Sequence, residues 1–334
     1  MRKPEYLSPT SINLYHKDPE EFYIRYLSEF RPPRSAQTLP MAIGSAFDAY
    51  VKSYMHEKLF GKGADPTYEL RTLFEKQVEE CNWNWAWRRG ERAFEMYKAS
   101  GALADMLIDL EQAVGQPKFE IEIRGIVSGR SESTSGSVML LGKPDVYYIN
   151  KFGNPVILDW KVNGWCAKTA VSPKKGYLRL RHGSSDRSKD KDMHRECQPM
   201  LHQGMMINVG LNLEDVDKDW ATQLAIYGWL CGMDIGSEFV TGLDQLACSP
   251  NGTAIPDVRI AEHRLRVGKT FQWEVFARAL EVWDVCQTGH VFKEMPKEQS
   301  ERVCEALDAK AKAITEMMLS GTPEDKAFLE ITGG

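Results

Sequence analysis

The sequence has no cysteine framework, no long apolar run and no strong net charge, and each absence excludes a class of protein. Its seven cysteines are scattered without a C-x-x-C pair, so neither a disulfide framework nor a zinc site is predicted. There is no run of about 18 apolar residues, which predicts that the chain does not cross a membrane. The opening residues, MRKPEYLSPTS, lack the apolar segment of a signal peptide, and we expect a cytoplasmic protein with reduced thiols.

The formal net charge of −5 gives the chain no overall attraction to nucleic acid. A nucleic-acid partner would therefore have to contact a local basic segment. The most polar part of the sequence, residues 168–195, is rich in Lys and Arg, and loops of this length are usually functional or disordered. The predicted contacts to DNA phosphates are Lys168, Lys174, Lys175, Arg179 and Arg181. A solvated surface loop is the alternative interpretation.

The first third of the chain is predicted to be helical. Ser8 suits the cap of one helix, and Asp18 suits the cap of the next. Residues 66–115 read as mostly helical. Their aromatic side chains are interpreted as core, because few basic residues accompany them to support stacking on bases.

From residue 118 the pattern changes to strands, which predicts a mixed α/β fold. Residues 119–127 alternate apolar and polar side chains, as expected of one half-buried strand. We divide the chain into an N-terminal helical region (1–115), a core (116–295) with a basic insertion (163–219), and a C-terminal helical tail (296–334).

Residues 142–162 predict a hairpin of two apolar strands around the turn 150–155. If the turn is centred near Phe152, Asp145 lies opposite Asp159, with Cβ atoms about 4.5–5.5 Å apart. Two carboxylates at that separation repel each other. A divalent cation between them removes the repulsion.

A helix predicted after residue 40 has an apolar stripe made of Ile43, Phe47, Val51 and Tyr54. Asp48 lies at the edge of that stripe. It is either a further acid of the hairpin site or a surface acid paired with Lys52 one turn later. Gly44 is expected to allow the close approach of another backbone.

Two further segments carry polar residues that join the predicted site. Glu120 or Glu122 of the first strand would supply a fourth acid, and Glu122 is the one we assign as a metal ligand. Gln223 and Tyr227 are four residues apart in a predicted buried helix and share one face. The alternative is that they are a polar pair which ties down a core helix.

The acids provide hard oxygen ligands, which suit Mg²⁺ or Mn²⁺. Such an ion can bind a phosphoryl oxygen and lower the pKa of bound water. Lys161 lies on the same strand face as Asp159, with Trp160 on the other face, and can orient or deprotonate the attacking water. Phosphodiester hydrolysis needs each of these parts, whereas an ordinary buried ion-pair network needs only one acid and one lysine.

The motif G-K-P-D, thirteen residues, D-W-K, followed by Q-x-x-x-Y, resembles the PD-(D/E)XK nuclease superfamily, specifically its RecB-like exonuclease branch. Gly44-x-x-x-Asp48 is similar to the G-x-x-x-H motif of that branch. The opening motif also resembles the N-terminal signature of the branch; it comprises Ser8, Ser11, Tyr15, Asp18, Pro19, Phe22 and Tyr26. The resemblance implies a restriction-endonuclease-like core sheet flanked by helices.

The resemblance also implies roles for individual residues. Asp145 and Asp159 would be metal ligands and Lys161 the catalytic lysine. Gln223 and Tyr227 would be an accessory catalytic pair near the substrate phosphates.

The sequence departs from the branch at two places. Asp48 stands where many members have a histidine metal ligand, and a carboxylate there favours hard cations further. Asp18 stands where members with an iron–sulfur cluster have cysteine, and only Cys286 and Cys304 lie late in the chain. We therefore predict no iron–sulfur cluster.

The expected function is that of a Mg²⁺- or Mn²⁺-dependent DNA exonuclease in a bacterial or phage-infected cell. It would act on duplex ends or single strands in recombination, repair or end-processing, with a recombination or single-strand-binding protein as a possible partner. A homo-oligomer is compatible with this expectation. The alternatives are an endonuclease of the same fold and a DNA-binding or assembly subunit that does not cleave.

Overall fold

The computed structural model describes residues 2–29, 36–164, 198–209, 212–248 and 258–289, with Phe292 and isolated positions between 301 and 315. The first part of the described chain is helical, as predicted. The α-helices are α1 (Pro9–Lys17), α2 (Pro19–Phe22), α3 (Leu39–Phe60), α4 (Leu70–Gln77), α5 (Trp83–Ala99), α6 (Ala102–Glu111), α7 (Leu213–Val216), α8 (Lys218–Leu230) and α9 (Lys269–Thr288). The predicted caps are present, since Ser8 accepts from the backbone N–H of Ser11 and Asp18 from that of Glu21.

The strands form one mixed sheet and two separate hairpins. They are β1 (Lys118–Phe119), β2 (Ile123–Arg130), β3 (Ser135–Gly142), β4 (Val146–Ile149), β5 (Pro155–Gly164), β6 (Gln198–His202), β7 (Met205–Val209), β8 (Val240–Cys248) and β9 (Val258–Arg266). The five-stranded sheet has the order β1-β4-β5-β8-β9, in which only β5 and β8 are parallel neighbours. The mixed α/β fold with a flanked core sheet is therefore confirmed.

Strand β5 lies at the centre of this sheet and is covered on both faces. Leu158 and Trp160 pack in a core with α3, α5 and α6, whereas Ile157 packs in a second core with α1, α8 and α9. Because successive side chains of a strand point to opposite faces, Asp159 and Lys161 lie on the α8 side with Ile157. The fold thus brings the polar residues of β5 against the Gln223 helix.

The hairpin formed by β4 and β5 has the predicted register. Val146 pairs with Leu158 and Ile149 with Pro155, so the turn is centred on residue 152. This register, extended by one residue, places Asp145 opposite Asp159.

The prediction of one continuous strand over 119–127 is wrong. The chain breaks after β1, because Glu120 has a φ of 50° and its backbone N–H donates to the carbonyl oxygen of Asp145 at 3.0 Å. Beyond the break, β2 pairs with β3 in a separate hairpin. The left-handed conformation of Glu120 removes the strand alternation on which the prediction depended.

Several predictions concern residues outside the described ranges. The basic residues Lys168, Lys174, Lys175, Arg179 and Arg181 all lie there, and so does most of the C-terminal tail 296–334. The division of the chain into three regions remains a prediction. Among the helices of the described ranges, none is long and apolar enough to span a lipid bilayer.

Candidate active site

A cavity of about 720 Å³ opens between α3, the end of β5 and α8. The predicted site residues that line it are Asp48, Asp145, Asp159, Lys161 and Gln223, and Glu120 lines it as well. Helix α3 reaches the cavity from one side of the sheet and α8 from the other. Residues that are far apart in the sequence therefore meet at the place where β4 begins.

Asp145 and Asp159 interact directly at the floor of the cavity. Asp145 Oδ2 accepts a hydrogen bond of 2.9 Å from the backbone N–H of Trp160, which holds its carboxylate against β5. Burial, followed by the neighbouring Asp145 carboxylate, raises the pKa of Asp159 well above its ordinary value. Burial acts in the same direction on Asp145, but Lys52, the hydrogen bond to Asp159, Lys161 and the Trp160 N–H together outweigh it and lower the pKa of Asp145.

Lys161 is held between the strand and α8. Its ammonium group contacts the Asp159 carboxylate and donates a hydrogen bond of 2.7 Å to Gln223 Oε1. Gln223 Nε2 in turn donates to Tyr227 Oη at 2.6 Å. Burial, and then the nearby Asp159, raise the pKa of the Tyr227 hydroxyl. The Lys161 ammonium group is thus held by Asp159 and Gln223, and Gln223 is held by Tyr227. All three of these residues were predicted to belong to the site.

Lys52 joins the site from α3, which the sequence analysis did not predict. Its side chain is 1% exposed, and its Nζ lies 2.6 Å from Asp48 Oδ1, 2.9 Å from Glu120 Oε1 and 3.3 Å from Asp145 Oδ1. Burial by itself would lower the pKa of Lys52, but the three carboxylates raise it. Lys52 is therefore a buried cation at the centre of three acids.

Asp48 is paired with Lys52, as the alternative interpretation expected, but it is not a surface acid, since it is mostly buried and lines the cavity with Asp145 and Asp159. Its other oxygen, Oδ2, accepts from Gln77 Nε2 at 2.9 Å. Burial raises the pKa of Asp48 to about 6 against the opposing effect of Lys52. Gly44 makes no close backbone approach, because an added Cβ would meet only Val162, at an ordinary 3.7 Å.

Glu120, and not Glu122, is the fourth acid that the structure brings to the site. Lys52 and the half-exposed Lys143 both contact Glu120, and they lower its pKa although burial would raise it. Glu122 is about half exposed and pairs with Arg124 at 2.7 Å. The break in the strand after β1 is the reason for the difference.

A buried polar network supports Trp160 on the opposite face of β5. The Trp160 indole N–H donates to Tyr97 Oη at 3.3 Å, and Tyr97 donates to Asp244. Arg264 pairs with the same Asp244 carboxylate. This network holds Trp160 in place, and Trp160 lies between Asp159 and Lys161 in the sequence.

A second cavity, of about 320 Å³, shares Lys161 and Gln223 with the first. Thr10, Asn13 and Lys17 of α1 line its other side. Since these residues are three and four apart, they follow one face of α1. The Lys161–Gln223 pair therefore lies between two openings.

The donor set fits a divalent cation at Asp145 and Asp159. Two facing carboxylates, one with a raised pKa, would be relieved by a cation between them. Among the described residues, no group of three His, Cys, Asp or Glu side chains is arranged to hold a metal ion. Lys52, rather than open space, lies among Asp48, Glu120 and Asp145.

The fold and these side chains define a class: a mixed α/β protein whose carboxylates and lysine suit phosphodiester chemistry. A family model described as the PD-(D/E)XK nuclease superfamily matches residues 6–172, half of the chain. The chain belongs to this superfamily, which implies a nuclease activity that uses divalent metal ions.

No curated protein matches the chain. The solved structure named "Crystal structure of SSO0001" matches at 9% identity, covering 81% of this chain and 85% of its own. Its TM-score is 0.23, so this likeness carries no argument.

The sequence identified Lys52 only as a surface partner of Asp48, and it did not identify Lys143 as a site residue. Lys143 lies within the G-K-P-D motif, and it contacts Glu120 at 3.2 Å. Lys52 follows Asp48 by one helical turn beside the apolar stripe of α3, and that position would have indicated a buried partner.

Proposed function

We propose that the chain is a metal-dependent DNA exonuclease of the RecB-like branch, acting in recombination, repair or end-processing. The observation that carries the proposal is the convergence of Asp145, Asp159, Lys161 and Gln223 in one open cavity. Phosphodiester hydrolysis requires such a set, because a phosphate must be bound and a water activated beside it.

Asp145 and Asp159 would hold the divalent ion, Mg²⁺ or Mn²⁺. When bound, this ion supplies charge neutralisation at a phosphoryl oxygen and a more acidic water. The backbone N–H of Trp160 orients the Asp145 carboxylate toward Asp159. These acids also repel a phosphate that arrives without a cation, so cleavage should depend on the metal.

Lys161 would orient the attacking water and stabilise negative charge that develops on the phosphate. Gln223 holds its ammonium group at 2.7 Å, and Tyr227 holds Gln223. Because the lysine contacts Asp159 as well, the water would be positioned beside the ion. Gln223 and Tyr227 act as positioning residues in this scheme.

The openings on both sides of Lys161 and Gln223 would allow a strand to pass across the site. Lys76 and Lys143 at the first opening and Lys17 at the second are basic side chains that could contact phosphates. The five basic residues of the segment 168–195 remain predicted phosphate contacts.

The proposal is tested with end-labelled linear DNA, closed circular DNA and single-stranded RNA, each incubated with Mg²⁺ or Mn²⁺. An exonuclease degrades the linear DNA and leaves the circle intact, whereas an endonuclease also cuts the circle. The isosteric variant Asp159→Asn is the control and should be inactive. If all substrates stay intact, or if Asp159→Asn cleaves like the wild type, the nuclease proposal is lost.

A further inference from the structure

The Lys52 side chain is almost fully shielded from solvent, which is rare for a lysine unless its charge is paired. An ammonium group has three N–H donors. Three carboxylates lie within 3.3 Å of it, one from α3, one from the break after β1 and one from the start of β4. Each N–H group can therefore donate to one carboxylate, so the three acids surround the ammonium group as oxygen ligands surround a metal ion.

The carboxylates around Lys52 have further partners. Asp48 accepts from Gln77, Asp145 accepts from the Trp160 backbone, and Glu120 contacts Lys143. For Asp48 and Asp145 these partners bind the oxygen that does not contact Lys52. Asp145 also interacts directly with Asp159, so a cation held by that pair leaves the contacts of Asp48 with Lys52 and Gln77 in place.

The charge balance favours one divalent ion. The acids of the cluster are Asp48, Glu120, Asp145 and Asp159, and the lysines that contact them are Lys52, Lys143 and Lys161. Four carboxylates and three ammonium groups leave one formal negative charge. One divalent ion brings the formal sum to +1, whereas a second would bring it to +3 in a partly buried site.

We propose that the Lys52 ammonium takes the place of a second metal ion, so that the site binds one divalent cation through Asp145 and Asp159. Asp48 and Glu120 then hold Lys52 and are not metal ligands. The inference rests on the proposed nuclease function and specifies its metal requirement. It also replaces the sequence-based assignment of Asp48 as a ligand.

The test counts Mn²⁺ on the full-length chain without DNA, by electron paramagnetic resonance of the free ion and by calorimetry. We expect one Mn²⁺ per wild-type chain. The isosteric variants Asp48→Asn and Asp145→Asn are compared. Asp145→Asn should weaken binding by more than about 100-fold, and Asp48→Asn by about 10–100-fold at most, because it alters only an outer partner.

Two Mn²⁺ ions per wild-type chain, or a loss in Asp48→Asn as large as that in Asp145→Asn, would overturn the inference and leave the nuclease proposal intact. No bound Mn²⁺ in the wild type would overturn both. In Lys52→Met, which removes the charge at similar length, a second bound Mn²⁺ supports the inference and a single one contradicts it. If that variant does not fold, the comparison of Asp48→Asn with Asp145→Asn decides the question.

Discussion

Lys161 Nζ and Gln223 Oε1 are joined by a hydrogen bond of 2.7 Å, although 62 residues separate them in the chain. The bond crosses from the central strand to the helix that covers it. Lys161 is 21% exposed at its side chain, so its tip reaches the cavity while its stem stays packed. The position of the ammonium group therefore depends on α8 as much as on β5.

Replacing Gln223 should reduce catalysis without unfolding the chain. In Gln223→Ala the lysine loses an acceptor, and a displacement of about 1 Å is enough to cost roughly 100-fold in rate. We expect kcat to fall by about that factor, measured in a steady-state cleavage assay. Tyr227→Phe removes the hydroxyl that holds Gln223, together with its hydrogen bond to the Lys143 backbone, and should have a smaller effect. Wild-type kcat in Gln223→Ala would contradict the positioning role.

Lys161→Met should lose activity by at least about 100-fold and retain most of its stability. Asp159, with its raised pKa, can accept a proton when the lysine is absent, so no buried charge is left unpaired. Urea unfolding and the cleavage assay are measured on the same preparation. An ordinary ion-pair network predicts the reverse: a loss of about 3–5 kcal/mol in the free energy of unfolding.

The contact between α3 and α5 should not tolerate a methyl group at Gly90. A Cβ there would lie 2.5 Å from Ala46 Cβ and 2.9 Å from the Ala46 carbonyl carbon. Gly90→Ala should lower the free energy of unfolding by about 1–3 kcal/mol, because the helices must separate. The effect is measured by urea unfolding.

Gly44→Ala, on the partner helix α3, is the matched control. Its added methyl would make only ordinary contact, and alanine is about 1 kcal/mol more favourable than glycine inside a helix. Unfolding should therefore require equal or more urea. If the two variants unfold alike, the close approach at Gly90 is not what limits the packing.

Buried His263 should make stability depend on pH. Burial lowers its pKa to about 4, whereas the unfolded value is about 6.5. Below pH 6.5 the unfolded chain binds a proton that the folded chain does not, so stability falls as the pH drops toward 4. The full effect is about 3 kcal/mol.

His263→Gln removes this titration and keeps a polar group beside Gln245, the present partner at 3.2 Å. Urea unfolding at pH 7 and pH 5 gives the difference for each protein. The wild type should lose more stability than the variant over this interval. An identical loss would mean that His263 is protonated in the folded chain.

Lys17→Ala should weaken DNA binding evenly for all sequences. A lysine that contacts a phosphate contributes about one unit to the slope of log K against log salt. Fluorescence anisotropy without divalent ions should show that slope reduced. Lys98→Ala is the control, because Lys98 pairs with Glu95 on α5. Equal slopes in both variants would remove Lys17 from the proposed DNA path.

The sequence alone determined the relationships that depend on short-range geometry. The register that places Asp145 opposite Asp159 follows from the turn residues and the strand alternation, and the structure shows the same register. The shared face of Gln223 and Tyr227 follows from helical spacing in the same way. Both are set by residues close in the chain, so a local pattern was sufficient.

Only the tertiary structure decided which charges meet. Because the backbone at Glu120 is left-handed, Glu120 lies in the site in place of the predicted Glu122. The packing of α3 buries Lys52 among three acids. A sequence pattern gives the face on which a side chain lies, but not the depth to which a neighbouring element covers it. Burial and the distance between charges set the role of Lys52, and both arise only when distant segments pack together.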